Sequence, residues 1–181
     1  LIGFVGLAGY HLFSYLRMYY RLRQPENGVH KVEEGICEIK SGHLSFVMGI
    51  LHPTIYLSSE LAGESREVVL CHERVHLQRR DYLIKPAALF ICCVHWFNPL
   101  VWLAASLSRV DGELACDERL SRGSTPVERE AYAASLTQLA SKHSLPELGV
   151  QASSMLMKPR RIALRQKLLR AGTTVHPAAS A

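Results

Sequence analysis

Residues 71–76, with the sequence CHERVH, carry a pattern that could do hydrolytic chemistry. Residues four apart share one face of a helix, so His72 and His76 would direct their rings at one point. Two imidazoles in that arrangement suit a zinc ion, and Glu73 between them could act as a general base on a metal-bound water. Because so short a pattern also arises by chance on a solvated helix, its surroundings must decide between the two interpretations.

The residues around this motif favour a partly buried helix. No Gly or Pro lies between Ser65 and Ile84, and a single helix is therefore expected to run through the segment. Val69 and Val75 fall on rows next to the two histidines, which places the rings beside an apolar face. Because a buried imidazole must be neutral or liganded, this setting favours a metal.

A zinc site of the catalytic kind needs a third protein ligand and an open position for water. One zinc-protease pattern places a third His six residues after the second, and Tyr82 at that position excludes it. His95 is a possible but poor ligand because it lies in an apolar run. Glu113 is the better candidate, since Asp117 shares its helical face and a second carboxylate can orient a ligating histidine. The alternative is an acidic, solvated helix over 111–119.

The segment between the motif and Glu113 is unusually apolar, because residues 86–108 contain no Asp, Glu, Lys or Arg. Its length would permit a membrane crossing, but a crossing would put roughly 30 Å of hydrocarbon between Glu113 and the histidines. Metal–ligand contacts are only about 2 Å long, and Pro99 would break a helix. We therefore expect two helices, over 83–95 and 99–118, that form a hairpin against the membrane or against transmembrane helices outside this sequence.

The N-terminal 16 residues carry no charge, and Arg17, Arg21 and Arg23 follow among three tyrosines. An apolar run with an aromatic belt and a basic flank is typical of the end of a transmembrane helix that enters the cytoplasm. A buried helix of a soluble protein is the alternative. Since the sequence starts without Met, we expect a piece cut from a multi-spanning membrane protein.

The residues that precede the motif read as short strands and turns. Two β-rich runs, over 46–50 and 54–57, are joined through His52-Pro53. We expect them to form a hairpin or two edge strands beside the motif helix. Residues 24–45 hold several Gly and one Pro between short alternating segments, which predicts brief strands.

Two further helices are predicted after residue 118. Thr125 as N-cap, Pro126 and Glu128 start one that should run to about residue 143. Tyr132 and His143 on it could stabilise an oxyanion, although their spacing does not single them out. The other, over 158–170, is basic with an apolar side formed by residues 162, 164, 168 and 169. Such a helix would be attracted to anionic lipid headgroups, and nucleic acid is the alternative, without a supporting motif.

The composition fits one domain of 181 residues with a net charge of +5 and a sequence pI near 9.1. Five cysteines without a C-x-x-C pair indicate neither a disulfide framework nor a Cys-zinc site, and they fit a reducing compartment. The expected division is a transmembrane helix end with its basic flank over 1–24, a zinc metallopeptidase domain over 25–157, and a basic juxtamembrane helix and tail over 158–181.

The pair of motifs, H-E-x-x-H and E-x-x-x-D, resembles the gluzincin metallopeptidases. The wider sequence resembles the BlaR/MecR antirepressor family of integral-membrane zinc peptidases, on residues 48–57, 72–83, 95–102 and 113–118. The resemblance implies an α+β, mostly helical fold with a gluzincin-like core and a small β-sheet. It supports one Zn²⁺ held by His72, His76 and Glu113, with Glu73 as catalytic base and Asp117 orienting a ligand histidine, preferentially His72.

The same resemblance implies a substrate and a location. Gluzincins hold a peptide as an added antiparallel strand, here on the edge formed by Phe46, Val47 and Met48. Family members cleave a transcriptional repressor or themselves, so the expected partners are a protein substrate, membrane lipid and transmembrane helices outside this sequence. Neither direct nucleic-acid contact nor a small-molecule cofactor is expected. The expected location is a bacterial-type cell membrane, multi-pass, with this domain on the cytoplasmic side.

Two other functions compete with this one. A zinc-binding membrane signalling module without peptidase activity would use the site structurally. Glu73 argues against it, because a structural site needs no base and usually has four protein ligands. A soluble helical domain with a chance motif would bind no metal at all.

Overall fold

A computed structural model describes residues 2–24, 28–39, 45–122, 124–142 and 159–171. Over these ranges the chain forms helices around one small sheet, and the predicted mostly helical α+β class is confirmed. The elements are α1 (Ile2–Arg23), β1 (His30–Glu33), β2 (Ile36–Ile39), β3 (Phe46–Met48), β4 (Thr54–Ser58), α2 (Gly63–Gln78), α3 (Asp81–Val94), α4 (Pro99–Ser121), α5 (Pro126–Lys142) and α6 (Pro159–Ala171).

The sheet has the strand order β1-β2-β4-β3, with β2 and β4 parallel and the other pairs antiparallel. The predicted hairpin over 46–57 is therefore confirmed as β3 and β4. Gly49 permits the turn between them, because it has φ 109° and a Cβ there would collide with the His52 carbonyl oxygen. Of these two strands, β3 lies at an edge of the sheet, whereas β4 lies between β2 and β3.

The two faces of the sheet pack against different helices. Val47 points to the side of α2, in a core that also contains residues of β2, β4, α5 and α6, namely Ile36, Ile55, Leu57, Val69, Leu70, Ala133 and Leu169. Phe46 points to the other side, where it packs with Ile39 and with Leu22 of α1. The alternation along β3 follows from the two-residue period of a strand. The sheet thereby gives α2 a fixed apolar support.

The expected continuous helix over 65–84 is wrong, because α2 ends at Gln78 and α3 begins at Asp81. Arg80 between them adopts φ 59°, the left-handed conformation that commonly ends helices and usually belongs to Gly or Asn. The Arg79 guanidinium donates to the Gly112 carbonyl at 2.8 Å and ties this turn to α4. A tertiary contact therefore accompanies a break for which the local sequence carries no marker.

The predicted helical hairpin is confirmed by α3 and α4, which pack against each other. The four residues between them include Asn98, whose side chain accepts from the Leu100 N–H at 3.0 Å as an N-cap. α4 begins at Pro99 and returns along α2. The hairpin therefore brings the distal part of α4, with Glu113, beside the motif helix, while His95 stays exposed at its tip.

α1 is one helix that continues beyond Arg17 and packs against α3. Phe4 and Phe90 meet edge to face with ring centroids 6.1 Å apart, and Gly3 allows the helix to approach the Trp96 ring. Over the parts of the chain that the structure describes, no helix has both the length and the apolar character that a membrane crossing requires. The expected transmembrane helix end over 1–24 stays a prediction.

α5 starts as predicted, with a reciprocal capping box. The Glu128 carboxylate accepts from the Thr125 N–H at 2.7 Å, and the Thr125 hydroxyl accepts from the Glu128 N–H at 3.3 Å.

α6 packs against α4 and α5, but its buried side differs from the predicted apolar side. Leu169 is buried, Leu164 is 41% exposed and Arg165 is only 1% exposed. His143, the predicted loop over 144–154 and the tail from residue 173 lie outside the described residues.

Candidate metal centre

The three residues predicted to bind metal meet at one buried point. His72 Nε2 and His76 Nε2 lie 3.1 Å apart on one face of α2. Glu113 of α4 lies opposite them, with one oxygen 3.2 Å from His72 Nε2 and the other 3.3 Å from His76 Nε2. All three side chains are buried. The structure therefore places two imidazole nitrogens and a carboxylate where they could share an ion, a grouping compatible with a metal site.

Glu73 supports this interpretation, because it is fully buried beside the histidines. Neither of its carboxylate oxygens has a hydrogen-bond partner among the described residues. A buried carboxylate without a donor is costly, unless a cation and a polar group share its surroundings. Burial also raises the pKa of Glu73 to about 8. The residues present thus fit a metal, and with it a water or substrate group that Glu73 could contact.

Burial and hydrogen bonds together determine the protonation of His72, His76 and Glu113. Burial alone would raise the pKa of Glu113, but hydrogen bonds with His72 and His76 hold it well below its usual range. Burial lowers the pKa of His72, so its ring is neutral and ready to donate a lone pair. His76 differs: burial opposes its charge, yet hydrogen bonds to Asp81, Cys116 and Glu113 raise its pKa. Metal binding at His76 would therefore displace a proton.

The outer nitrogen of His76 faces Asp81. His76 Nδ1 lies 2.6 Å from an Asp81 carboxylate oxygen and 3.3 Å from the Cys116 sulfur. These three buried groups form a second grouping that could hold an ion, but it lies on the other side of the same ring. We assign it to orientation, because a carboxylate on the outer nitrogen is the usual partner of a metal-binding histidine. The turn at Arg80 places Asp81 beside His76, since a continuous helix would put residue 81 on a different face from His76.

The outer nitrogen of His72 is supported from α4 and α5. His72 Nδ1 lies 3.1 Å from the Tyr132 hydroxyl, which donates to Asp117 at 2.8 Å. Asp117 itself is 3.7 Å from the same nitrogen. Asp117 therefore lies beside His72, the histidine that the sequence favoured, but the Tyr132 hydroxyl stands between them as the closer partner.

Arg165 of α6 completes this side of the centre. Its Nε lies 2.5 Å and its Nη2 2.6 Å from the two Asp117 oxygens, and its Nη1 is 3.5 Å from Glu113. Burial alone would lower the pKa of the guanidinium, but these carboxylates raise it. The residue expected on a lipid-facing helix is therefore a buried cation beside a ligand candidate.

Lys85 brings a second cation to the centre. Its Nζ lies 3.9 Å from Glu113, and its side chain is largely buried. Lys85 and Asp81 also line a cavity of about 270 Å³ between α3 and α4, together with Ile84, Leu89, Trp102 and Arg109 among others. The cavity adjoins the centre through Asp81 and Lys85, which contact His76 and Glu113.

β3, the predicted substrate-binding edge, lies at one end of the sheet. It packs against α2. Phe46 and Val47 are buried and Met48 is half-buried, so their side chains belong to the two cores. What β3 can offer to a partner is its outer backbone edge.

Sequence reasoning missed Asp81, Lys85 and Arg165, and it named Tyr132 only as a possible oxyanion stabiliser. Asp81 lies five residues after His76 and would have been a candidate had the break at Arg80 been recognised. Tyr132 and Arg165 lie far along the chain from their partners, and only packing brings them together. His95, the other ligand considered, belongs to no metal-compatible grouping of the described residues.

Comparisons with known proteins give two findings. The model of the family described as BlaR1 peptidase M56 matches residues 10–169. The regulatory protein BlaR1 of Bacillus licheniformis is 33% identical over 72 residues, which are 38% of this chain and 12% of that protein. The matched segment is thus a small part of that relative.

Proposed function

From the premise that this chain belongs to the BlaR1 peptidase M56 family, which confirms the resemblance to the BlaR/MecR proteins, we propose that it is a zinc-dependent metalloendopeptidase. One observation carries the proposal. Glu73 is a fully buried carboxylate without a hydrogen-bond partner among the described residues, and it lies beside the converging side chains of His72, His76 and Glu113. A structural metal site would have no use for such a group.

Zinc is the metal that these donors fit best. Two imidazole nitrogens and one carboxylate match the donor set of catalytic zinc sites, whereas Mg²⁺ and Ca²⁺ prefer oxygen ligands. His72, His76 and Glu113 would hold the ion. When bound, it would supply polarisation of the substrate carbonyl and acidification of a water molecule.

The remaining chemistry falls to the side chains of this chain. Glu73 would take a proton from the attacking water and deliver it to the leaving amine nitrogen as the peptide bond breaks. Asp81 holds the His76 ring, and Tyr132 with Asp117 holds the His72 ring, so that both outer nitrogens are engaged. Lys85 adds a positive charge near the reacting region, where negative charge develops during attack.

The substrate of this reaction would be an extended segment of a protein. Among the described strands, β3 ends the sheet next to α2, and a peptide could add to its outer edge as an antiparallel strand. The cavity beside Lys85 has room for one substrate side chain. By analogy with the regulatory relative, we propose a transcriptional repressor, or the protein itself, as the substrate.

The location proposed for the chain is a bacterial cell membrane, with this domain on the cytoplasmic side and in contact with lipid and further helices. The outer faces of the α3–α4 hairpin support it, because they expose large apolar side chains: Ile84, Phe90, Ile91, Phe97, Leu100, Leu103 and Leu107. Exposed apolar surface of this extent marks an interaction site. Lipid or neighbouring transmembrane helices would cover it.

The test compares wild type with Glu73→Gln, and uses Glu67→Gln on the exposed side of the same helix as control. Zinc content and cleavage of a candidate repressor, or of the chain itself, would be measured on the same samples. We expect Glu73→Gln to keep zinc and to lose cleavage by about 10²–10⁴-fold, the usual contribution of a general base. The control should behave as wild type.

The outcomes separate the competing functions. Cleavage by Glu73→Gln at the wild-type rate would remove Glu73 from the mechanism. Zinc binding without cleavage of either substrate by any form would favour the signalling module without peptidase activity. Wild-type protein that binds no zinc would contradict the proposed zinc-dependent activity.

A further inference from the structure

We propose that Arg165 is a positioning residue of the metal centre, through which the packing of α6 against α4 sets the affinity of the centre for its metal. The inference rests on the proposed function, since it concerns the same ion. It gives α6 a role at the metal centre, whereas the sequence alone predicted that this helix lies on a membrane surface.

Arg165 makes a buried contact with well-defined geometry. Its side chain is 1% exposed, and its Nε and Nη2 hold both oxygens of Asp117 in a two-pronged ion pair. Such a planar fork fixes the orientation of a carboxylate, which a lysine ammonium cannot do in the same way. Its third nitrogen, Nη1, lies 3.5 Å from Glu113.

One guanidinium thus reaches both carboxylates that matter to His72. The Glu113 oxygen nearest to Arg165 is the one that faces His72 Nε2, at 3.2 Å. Asp117 supports the opposite nitrogen of the same ring through Tyr132. Arg165 therefore fixes the ligand on one side of His72 and its outer support on the other.

The charges point the same way. Glu73, Glu113 and Asp117 are three buried carboxylates in one small region. Without a cation of the protein, the mutual repulsion of these carboxylates would favour displacement of one of them from the centre. Arg165 offsets part of that charge before any metal arrives.

The contact couples two distant parts of the chain. Arg165 lies 48 residues beyond Asp117 and reaches it only when α6 is packed against α4. If that packing raises metal affinity, metal binding must stabilise the packing by the same factor. Zinc should therefore protect the α6 amides from hydrogen exchange.

α6 provides a matched control in Arg170. This residue makes a similar forked ion pair with Glu130 of α5, at 2.7–3.2 Å, but both side chains are 55% exposed and neither contacts the centre. Arg170→Gln removes the same charge and another contact of the same helix. It therefore shows how a weaker packing of α6 alone affects Zn²⁺ affinity, while Arg165 still holds Asp117.

The experiment uses the purified full chain as wild type, Arg165→Gln, Arg165→Lys and Arg170→Gln. Zn²⁺ affinity is measured by competition with a chromophoric chelator, and amide exchange over 159–171 is followed with and without Zn²⁺. We expect at least tenfold weaker binding for Arg165→Gln, an intermediate loss for Arg165→Lys, and less than a twofold change for Arg170→Gln. Zinc should slow exchange in α6 of wild type and Arg170→Gln, and not of Arg165→Gln.

Two results would overturn the inference while leaving the proposed function intact. One is a wild-type chain that binds Zn²⁺ while Arg165→Gln binds it equally well per folded molecule. The other result applies if Arg165→Gln does not fold. In that case the inference fails if Arg165→Lys binds Zn²⁺ with wild-type affinity and zinc does not slow amide exchange in α6 of the wild type. A wild-type chain that binds no Zn²⁺ would overturn the proposed function and this inference together.

Discussion

The two histidines of the candidate centre are supported in opposite ways. His76 is held by Asp81, five residues further along the chain, across the tight turn at Arg80. His72 is held by Tyr132 of α5 and Asp117 of α4, with Arg165 of α6 behind them. One ring thus depends on local chain geometry, and the other depends on the packing of three distant helices.

The difference has an energetic consequence. A contact over five residues closes a short loop and can form as soon as α2 and α3 form. The contacts from His72 to Tyr132 and from Asp117 to Arg165 instead close loops of 60 and 48 residues, and they form only when the helices pack. The His76 half should therefore behave as a local feature, and the His72 half as part of the global fold. The following substitutions test that contrast.

Asp117→Ala should have the largest effect, because it removes the carboxylate that Nε and Nη2 of the buried Arg165 hold. Removing one member of a buried ion pair costs about 3–5 kcal/mol, and we expect a loss of that size in the free energy of unfolding from urea titration. Asp111→Ala, on the exposed side of the same helix, is the control. A loss of less than about 1 kcal/mol, the scale of an exposed pair, would contradict a global role for this half.

Asp81→Ala should separate metal affinity from stability. Loss of a carboxylate that orients a ligand histidine typically costs about 10–100-fold in metal affinity, and Zn²⁺ competition would measure it. Unfolding in the presence of chelator should lose only about 1.5–3 kcal/mol, as for one charged hydrogen bond, because His76 without Asp81 can release its proton, whereas Arg165 cannot. If Asp81→Ala destabilises the metal-free chain as strongly as Asp117→Ala, the two halves are not different.

The same contrast explains what could be predicted from the sequence. His72, Glu73 and His76 form one short motif, and Glu113 follows from the requirement for a third ligand. The hairpin follows from that requirement together with the helix break at Pro99. Periodicity, helix breakers and ligand chemistry all act over a few residues, so they predict elements of this kind. The helical hairpin and the capping box at Thr125 were predictable for the same reason.

The errors have a common physical cause. The break at Arg80 has no Gly or Pro to mark it, and it is accompanied by a contact from Arg79 to α4 that no local pattern shows. Arg165 is basic and lies on a basic helix, so composition predicts exposure, whereas two buried carboxylates draw it inward. Tertiary partners outweighed local preference at both positions, and both lie at the site.

Tyr132→Phe offers a finer test of the His72 half. The hydroxyl stands between His72 and Asp117, and its removal deletes two hydrogen bonds without a change in shape. We expect a loss of about 1–2 kcal/mol in the free energy of unfolding and a several-fold weaker Zn²⁺ affinity, smaller than for Asp81→Ala. Unchanged values for both quantities would mean that Asp117 holds His72 without the hydroxyl.

Arg80→Gly should have the smallest effect and tests the local half at its turn. A left-handed residue with a Cβ costs roughly 1–2 kcal/mol, which Gly avoids, while the greater freedom of Gly in the unfolded chain offsets about 1 kcal/mol of that gain. Urea titration should therefore show a change in the free energy of unfolding within about 1 kcal/mol, and Zn²⁺ affinity should stay at the wild-type value, because Asp81 still contacts His76.

Arg80→Val is the informative partner, since a β-branched residue tolerates this conformation worst. It should destabilise the chain and weaken Zn²⁺ binding together. If Arg80→Val leaves Zn²⁺ affinity unchanged, the turn is not what places Asp81, and the contact from Arg79 to Gly112 would have to do so.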